Sequence, residues 1–125
     1  MDKYKKIQIA LLVILIMAIG IFSYLMYSWN YAYSNGTLTT DHGVYNGEFK
    51  GKMFNGQGTF IFSSGSKYVG QWCDGEMEGH GVITFTDGSK FEGEFKDGFY
   101  NGKGKITQAD GTVIEGVWEN GKLKK

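Results

Sequence analysis

Two hydrophobic rhythms divide the chain. From Ile7 to Trp29 apolar residues run nearly without interruption, most densely between Ile9 and Met26. From Tyr45 onward apolar and polar positions alternate, and the alternation returns in steps of 23 residues. Tyr45-Asn46-Gly47-Glu48-Phe49 becomes Tyr68-Val69-Gly70-Gln71-Trp72, then Phe91-Glu92-Gly93-Glu94-Phe95, then Ile114-Glu115-Gly116-Val117-Trp118. The unbroken run predicts a helix, whereas alternation predicts strands with one apolar face. A fixed period of this size marks a repeat architecture.

Each repeat reads as a β-hairpin. The first strand puts Tyr68, Gly70 and Trp72 on one face, and Asp74-Gly75 supplies the turn chemistry. The second strand puts Gly81, Ile83 and Phe85 on that face, matched by Gly58, Phe60 and Phe62, and more weakly by Gly104, Ile106 and Gln108. Successive hairpins are expected to pair as an antiparallel meander of about eight strands, an elongated single-layer all-β sheet about 40 Å long. Gly inside a strand weakens it by about 0.5–1 kcal/mol relative to Ala, so Gly47, Gly70 and Gly93 need a cause. A bare patch of backbone on which a neighbouring aromatic ring can lie supplies one. The row Tyr45, Phe49, Tyr68, Trp72, Phe91, Phe95 and Trp118 is the candidate partner-binding set. The same rings are equally suited to packing across the sheet and holding it together.

Residues 7–29 suffice as one transmembrane helix, since 23 residues at 1.5 Å rise reach about 35 Å against a hydrocarbon core of about 30 Å. Tyr24, Tyr27 and Trp29 fall where an interfacial aromatic belt belongs. A cleaved signal peptide is the competing reading, with Ala18 and Gly20 as small residues. The apolar run continues past them through Ile21, Phe22, Leu25 and Met26, which favours an uncleaved anchor. Lys3, Lys5 and Lys6 precede the span and no lysine follows until Lys50. The positive-inside rule therefore keeps residues 1–6 cytoplasmic and puts the repeats outside the cytoplasm, in a periplasm, at a cell surface or in a secretory lumen; for a bacterial chain the membrane crossed is the plasma or inner membrane. Residues 30–44 read as a linker holding a worn half-repeat, in which Gly36-Thr37-Leu38-Thr39 resembles a second strand. Asn35-Gly36-Thr37 also fits a glycosylation acceptor, a weak pattern.

The combination Tyr-x-Gly-x-Trp, then Gly, then Gly-x-Gly, every 23 residues, resembles the membrane occupation and recognition nexus (MORN) repeat. Tyr68 to Lys90 is the nearest copy, carrying Tyr68, Gly70, Trp72, Gly75, Gly79, Gly81 and Gly88. The likeness covers 45–67, 68–90, 91–113 and a partial copy at 114–125. Gly51-Lys52 departs from the Asp-Gly turn order, and Phe twice replaces Trp. The resemblance implies an elongated, curved sheet with an aromatic-lined groove. It implies scaffolding, tethering or regulation rather than a reaction, with phospholipid contact in some members.

Charge narrows the partners. The 13 Lys balance 13 Asp and Glu, with no Arg, so there is no footprint for nucleic acid. Residues 45–125 hold ten lysines against eleven acidic residues, a net charge of −1, and cluster lysine only at Lys122, Lys124 and Lys125. Anionic lipid binding by the repeats is therefore disfavoured. Cys73 stands alone, at a position filled by Lys50 and Lys96 in the flanking copies. Asp74, Glu76 and Glu78 precede His80 but lack the ligand count of a calcium loop, and His42 and His80 lack zinc-pair spacing. Asn55-Gly56-Gln57-Gly58 and Asn101-Gly102-Lys103-Gly104 recur at the repeat period without a helix behind them, so phosphate cradling is not indicated. No catalytic constellation, metal or cofactor is expected. The function expected is a scaffolding module tethered to the bilayer through residues 7–29, with a membrane or envelope protein as partner. A phospholipid- or glycan-binding module is the alternative.

Overall fold

The structure, a computed structural model, describes residues 2–124 and divides into two units at Ala32 and Tyr33. The first unit is helix α1, Lys3–Tyr31, 29 residues long. At 1.5 Å per residue it extends about 43 Å. It begins a turn before the apolar run and takes in Lys3, Lys5 and Lys6. It ends where Ala32 turns extended (φ −63, ψ 135). None of its described residues is buried, and its length and apolar composition are sufficient to cross a membrane.

The second unit is one open antiparallel sheet of nine strands in sequence order. These are β1 Tyr33–Thr40, β2 Gly43–Lys50, β3 Met53–Phe62, β4 Lys67–Cys73, β5 Glu76–Thr84, β6 Lys90–Lys96, β7 Phe99–Thr107, β8 Val113–Glu119 and β9 Lys122–Lys124. Eight steps of about 4.8 Å span about 38 Å. Much of residues 30–44 is thus regular structure: the end of α1, all of β1, and a turn in which Thr40 Oγ1 accepts from the His42 N–H at 3.2 Å.

The register explains the glycine spacing. Gly36, Gly47, Gly58, Gly70, Gly81, Gly93, Gly104 and Gly116 pair successively across eight strands. On one side of this row lie Tyr45, Phe60, Tyr68, Ile83, Phe91 and Ile106, which pair in line: Tyr45 with Phe60, Phe60 with Tyr68, Tyr68 with Ile83. On its other side, one residue of each first strand faces three of the second. Glu48 faces Asn55 to Gln57, because Gly47 pairs with Gly58 while Phe49 pairs with Phe54. The same bulge recurs at Gln71 and Glu94. The central bulge glycines, Gly56, Gly79 and Gly102, have φ of 97, 76 and 116, values that L side chains rarely adopt.

Turn chemistry follows the sequence closely. Asp74-Gly75, Asp97-Gly98 and Asn120-Gly121 have positive φ at both central residues, as type I′ hairpins require. In the first hairpin Gly51 has φ 61 and Lys52 is not in the left-handed region, the φ signs of type II′. Reversing Asp-Gly to Gly-Lys thus changes the turn type and keeps the two-residue loop. β3 runs to Phe62 as the alternation suggests, but the second strands of the next two repeats stop earlier. β5 ends at Thr84, and the Phe85 N–H donates to the Ser89 carbonyl at 2.8 Å while its own carbonyl accepts from Gly88. Gln108 does the same with Thr112 and Gly111.

Candidate binding face

The aromatic face is assembled from three contacts that repeat along the array. The first is ring on glycine. A methyl group at Gly58 would penetrate the Tyr45 ring, and Gly81 lies likewise beneath Tyr68 and Gly104 beneath Phe91. Ring and bare backbone come from the two strands of one hairpin, so the expected packing is present. The covered patch belongs chiefly to the second-strand glycines rather than to Gly47, Gly70 and Gly93.

The second contact anchors the ring at the bulge. Tyr45 Oη donates to the Glu48 carbonyl at 2.7 Å, and Tyr68 Oη to the Gln71 carbonyl at 2.9 Å. From the opposite direction the Glu48 carboxylate accepts from the Gln57 N–H, and Gln71 Oε1 accepts from the His80 N–H at 3.3 Å. Backbone groups displaced from the ladder are thereby satisfied by side chains of the same repeat. Burial is the main reason that both phenols are pushed up to about 12. Negative charge at Glu48 reinforces it for Tyr45 and at Glu94 for Tyr68, and the hydrogen bond to the backbone opposes it in each.

The third contact links one repeat to the next. Trp72 meets Tyr45 edge-on at 5.3 Å, Phe95 meets Tyr68 at 5.0 Å, and Trp118 meets Phe91 at 5.2 Å. Such pairs contribute about 0.5–1.5 kcal/mol beyond area burial. Trp72 Nε1 also donates to the Gly58 carbonyl at 3.3 Å.

All seven sequence-derived residues therefore lie together on one face. Tyr45, Tyr68, Trp72, Phe91, Phe95 and Trp118 are buried, Tyr45 and Tyr68 completely, while Phe49 is partly buried. A molecule approaching this face meets the partly buried layer around them: Phe49, Phe54, Phe62, Met77, Tyr100 and Ile106. Three of these were missed in the sequence although they recur every 23 residues: Phe54, Met77 and Tyr100. Phe54 stacks on Tyr45 at 3.9 Å and Tyr100 on Phe91 at 3.8 Å. They escape notice because each is the second residue of its strand just after a turn, where the chemical type changes from copy to copy. Between Phe60, Phe62, Trp72 and Met77 the face has a depression of about 250 Å³ that also reaches Glu76 and Asp97.

The opposite face is mixed: Val44, Ile61, Val69 and Val117 are exposed on it, and its remaining positions are mostly polar or charged. A depression of about 550 Å³ on it lies among His80, Glu92, Glu94, Lys103, Lys105 and Glu115, where acids and lysines oppose one another. His80 Nδ1 stands 3.7 Å from Glu94 Oε1. Two of the three carboxylates before His80 are held at turns: Asp74 accepts from Asn55 Nδ2 at 3.4 Å, and Glu78 accepts from the Asp97 N–H at 3.2 Å. Among the described residues no three His, Cys, Asp or Glu side chains converge as a metal site would need. Cys73 is exposed and free.

The family profile of the MORN repeat matches the chain at residues 45–67, 68–90 and 91–113. A comparison with curated proteins gave no match. Three consecutive matches over more than half of the sequence, on hairpins whose glycines and rings interlock at the same period, establish that this chain belongs to the MORN repeat family.

Proposed function

We propose that the protein is a membrane-tethered binding and scaffolding module that acts without catalysing a reaction. Residues 7–29 anchor it in a bilayer with residues 1–6 cytoplasmic, and the repeats face a protein partner outside the cytoplasm. The observation that carries the binding role is the continuous apolar layer of Phe49, Phe54, Phe62, Met77, Tyr100 and Ile106 over a fully packed ring row. Aromatic and Met side chains are enriched at protein interfaces, and a rigid floor lowers the ordering cost of binding. The anchor is supported by α1, which is apolar all round and buries none of its described residues against protein. The lysine asymmetry supports the orientation. The near-neutral array favours a protein surface over an anionic lipid one.

The test is affinity capture of the full-length chain from its native membranes, native against Met77→Glu, with protease protection to locate the repeats. A specific protein partner lost in Met77→Glu at unchanged thermal stability is expected. Retention of every partner by the variant, or repeats shielded on the cytoplasmic side, would overturn the corresponding half of the reading.

A further inference from the structure

The first strand of the sheet combines two unmet features. β1 pairs with β2 over eight consecutive positions without a bulge, and seven of its eight residues are exposed. Its outer edge has no neighbouring strand among the described residues. Edge strands are normally protected by charge, proline, bulges or shortness. β9 at the opposite edge is three residues with lysine at both ends, whereas Tyr33–Thr40 has no charge, no proline and no irregularity.

The second feature is Gly36. It belongs to the same paired row as Gly58, Gly81 and Gly104, each of which lies under a ring from the strand before it. A Cβ at Gly36 would touch only the flank of Phe49, at 3.6 Å. Where the missing ring would rest there is a cavity of about 430 Å³, lined by Ser34, Gly36, Leu38, Phe49, Gly51 and Lys52 among others.

We propose that β1 is a strand-addition site for an extended segment of another protein that carries an aromatic residue two positions before a glycine. The segment pairs antiparallel with β1, its glycine faces Gly36, and its aromatic residue stands opposite Leu38 with the ring laid over Gly36. The chain contains the template for this arrangement: Gly47 faces Gly58, Tyr45 faces Phe60, and the Tyr45 ring covers Gly58. Backbone pairing supplies affinity and the ring seat supplies selection, as in other strand additions. A second copy of β1 fits poorly, because antiparallel pairing centred on Gly36 puts Ser34 opposite Leu38 and leaves the seat empty. This site shares only Phe49 with the layer around Met77 and does not rest on the role proposed for it.

The experiment uses the full chain in detergent micelles and a fluorescent peptide with the sequence of residues 44–50, followed by anisotropy. Saturable binding is expected, weakened about tenfold or more when the peptide carries Tyr45→Ala. The same loss is expected when the protein carries Gly36→Leu, which fills the seat. Gly36→Ala, whose added methyl makes only ordinary contact with Phe49, serves as the milder variant should Gly36→Leu not fold. Met77→Glu is expected to leave peptide binding unchanged. Equal binding of the two peptides, undiminished binding by the Gly36 variants, absence of binding, or a stable dimer paired through β1 would each overturn the proposal.

Discussion

Tyr45 and Gly58 pack so closely that the phenol ring occupies the space a single methyl group on the glycine would need. The pair recurs as Tyr68 with Gly81 and Phe91 with Gly104. It turns a residue that weakens strands into the floor of the core, and it makes the order of ring and glycine in each repeat a packing requirement.

Gly58→Ala and Gly81→Ala are therefore expected to destabilise the array by about 1–3 kcal/mol each, the usual cost of overfilling a packed site. Gly36→Ala, whose methyl makes only ordinary contact with Phe49 and which has no left-handed φ, is expected to be neutral or to stabilise by about 0.4–1 kcal/mol. Denaturant melts followed by tryptophan fluorescence measure both. Equal effects at the three positions would refute the ring-seat account.

The two tyrosines and Phe91 differ by one hydroxyl that reaches a bulge carbonyl. Tyr68→Phe removes the 2.9 Å bond to Gln71 and is expected to cost about 0.5–1.5 kcal/mol. Phe91→Tyr is expected to recover a comparable amount by reaching the Glu94 carbonyl, since its ring already stands over Gly104 as Tyr68 does over Gly81. Chemical denaturation of the two variants checks the pair, and a stabilised Tyr68→Phe would contradict it.

Alkaline pH is expected to unfold the sheet through its core. Burial raises Tyr45 and Tyr68 from the ordinary 10.0 to about 12, and raises Tyr100 as well. The folded state thus holds these protons more tightly than the unfolded chain. The stabilisation is full below pH 10 and is lost as pH rises towards 12. Ultraviolet titration should show a late-ionising class of tyrosines whose ionisation accompanies loss of the near-ultraviolet circular dichroism signal. Uniform ionisation near 10 without unfolding would exclude it.

Acid acts on the turns between repeats. Asp87 is held below the usual carboxylate range by the Ser89 hydroxyl, with the Ser89 N–H, and Asp110 by the Thr112 N–H, with the Thr112 hydroxyl. Their contribution is present above the ordinary Asp pKa and disappears as pH falls through the lowered one. Carbon-detected NMR titration should place both carboxyls below the unfolded reference. Asp110→Asn should remove only the Asp110 share of the acid dependence.

The hairpin meander, the 23-residue step and the side of the sheet on which the seven aromatic residues fall were legible from alternation alone, because period two fixes a face without knowledge of a neighbour. The bulge was not. Asn55-Gly56-Gln57-Gly58 looks like loop chemistry in one dimension, and its meaning depends on Glu48, nine residues before Gln57, reaching across to the Gln57 N–H. Burial was equally opaque. Whether Tyr68 faces a partner or is enclosed depends on Phe95, which approaches it at 5.0 Å from the next copy.

That last contact gives the array a direction. Each repeat supplies its own ring and glycine, but the edge that seals the ring comes from the copy that follows: Trp72 for Tyr45, Phe95 for Tyr68, Trp118 for Phe91. Loss of the first hairpin leaves Tyr68 and Phe91 sealed but strips Trp72 of Tyr45, Phe54 and Phe60, whereas loss of β8 and β9 uncovers Phe91. Each junction between copies is thus closed from its C-terminal side, and removing either partner exposes a ring of the other.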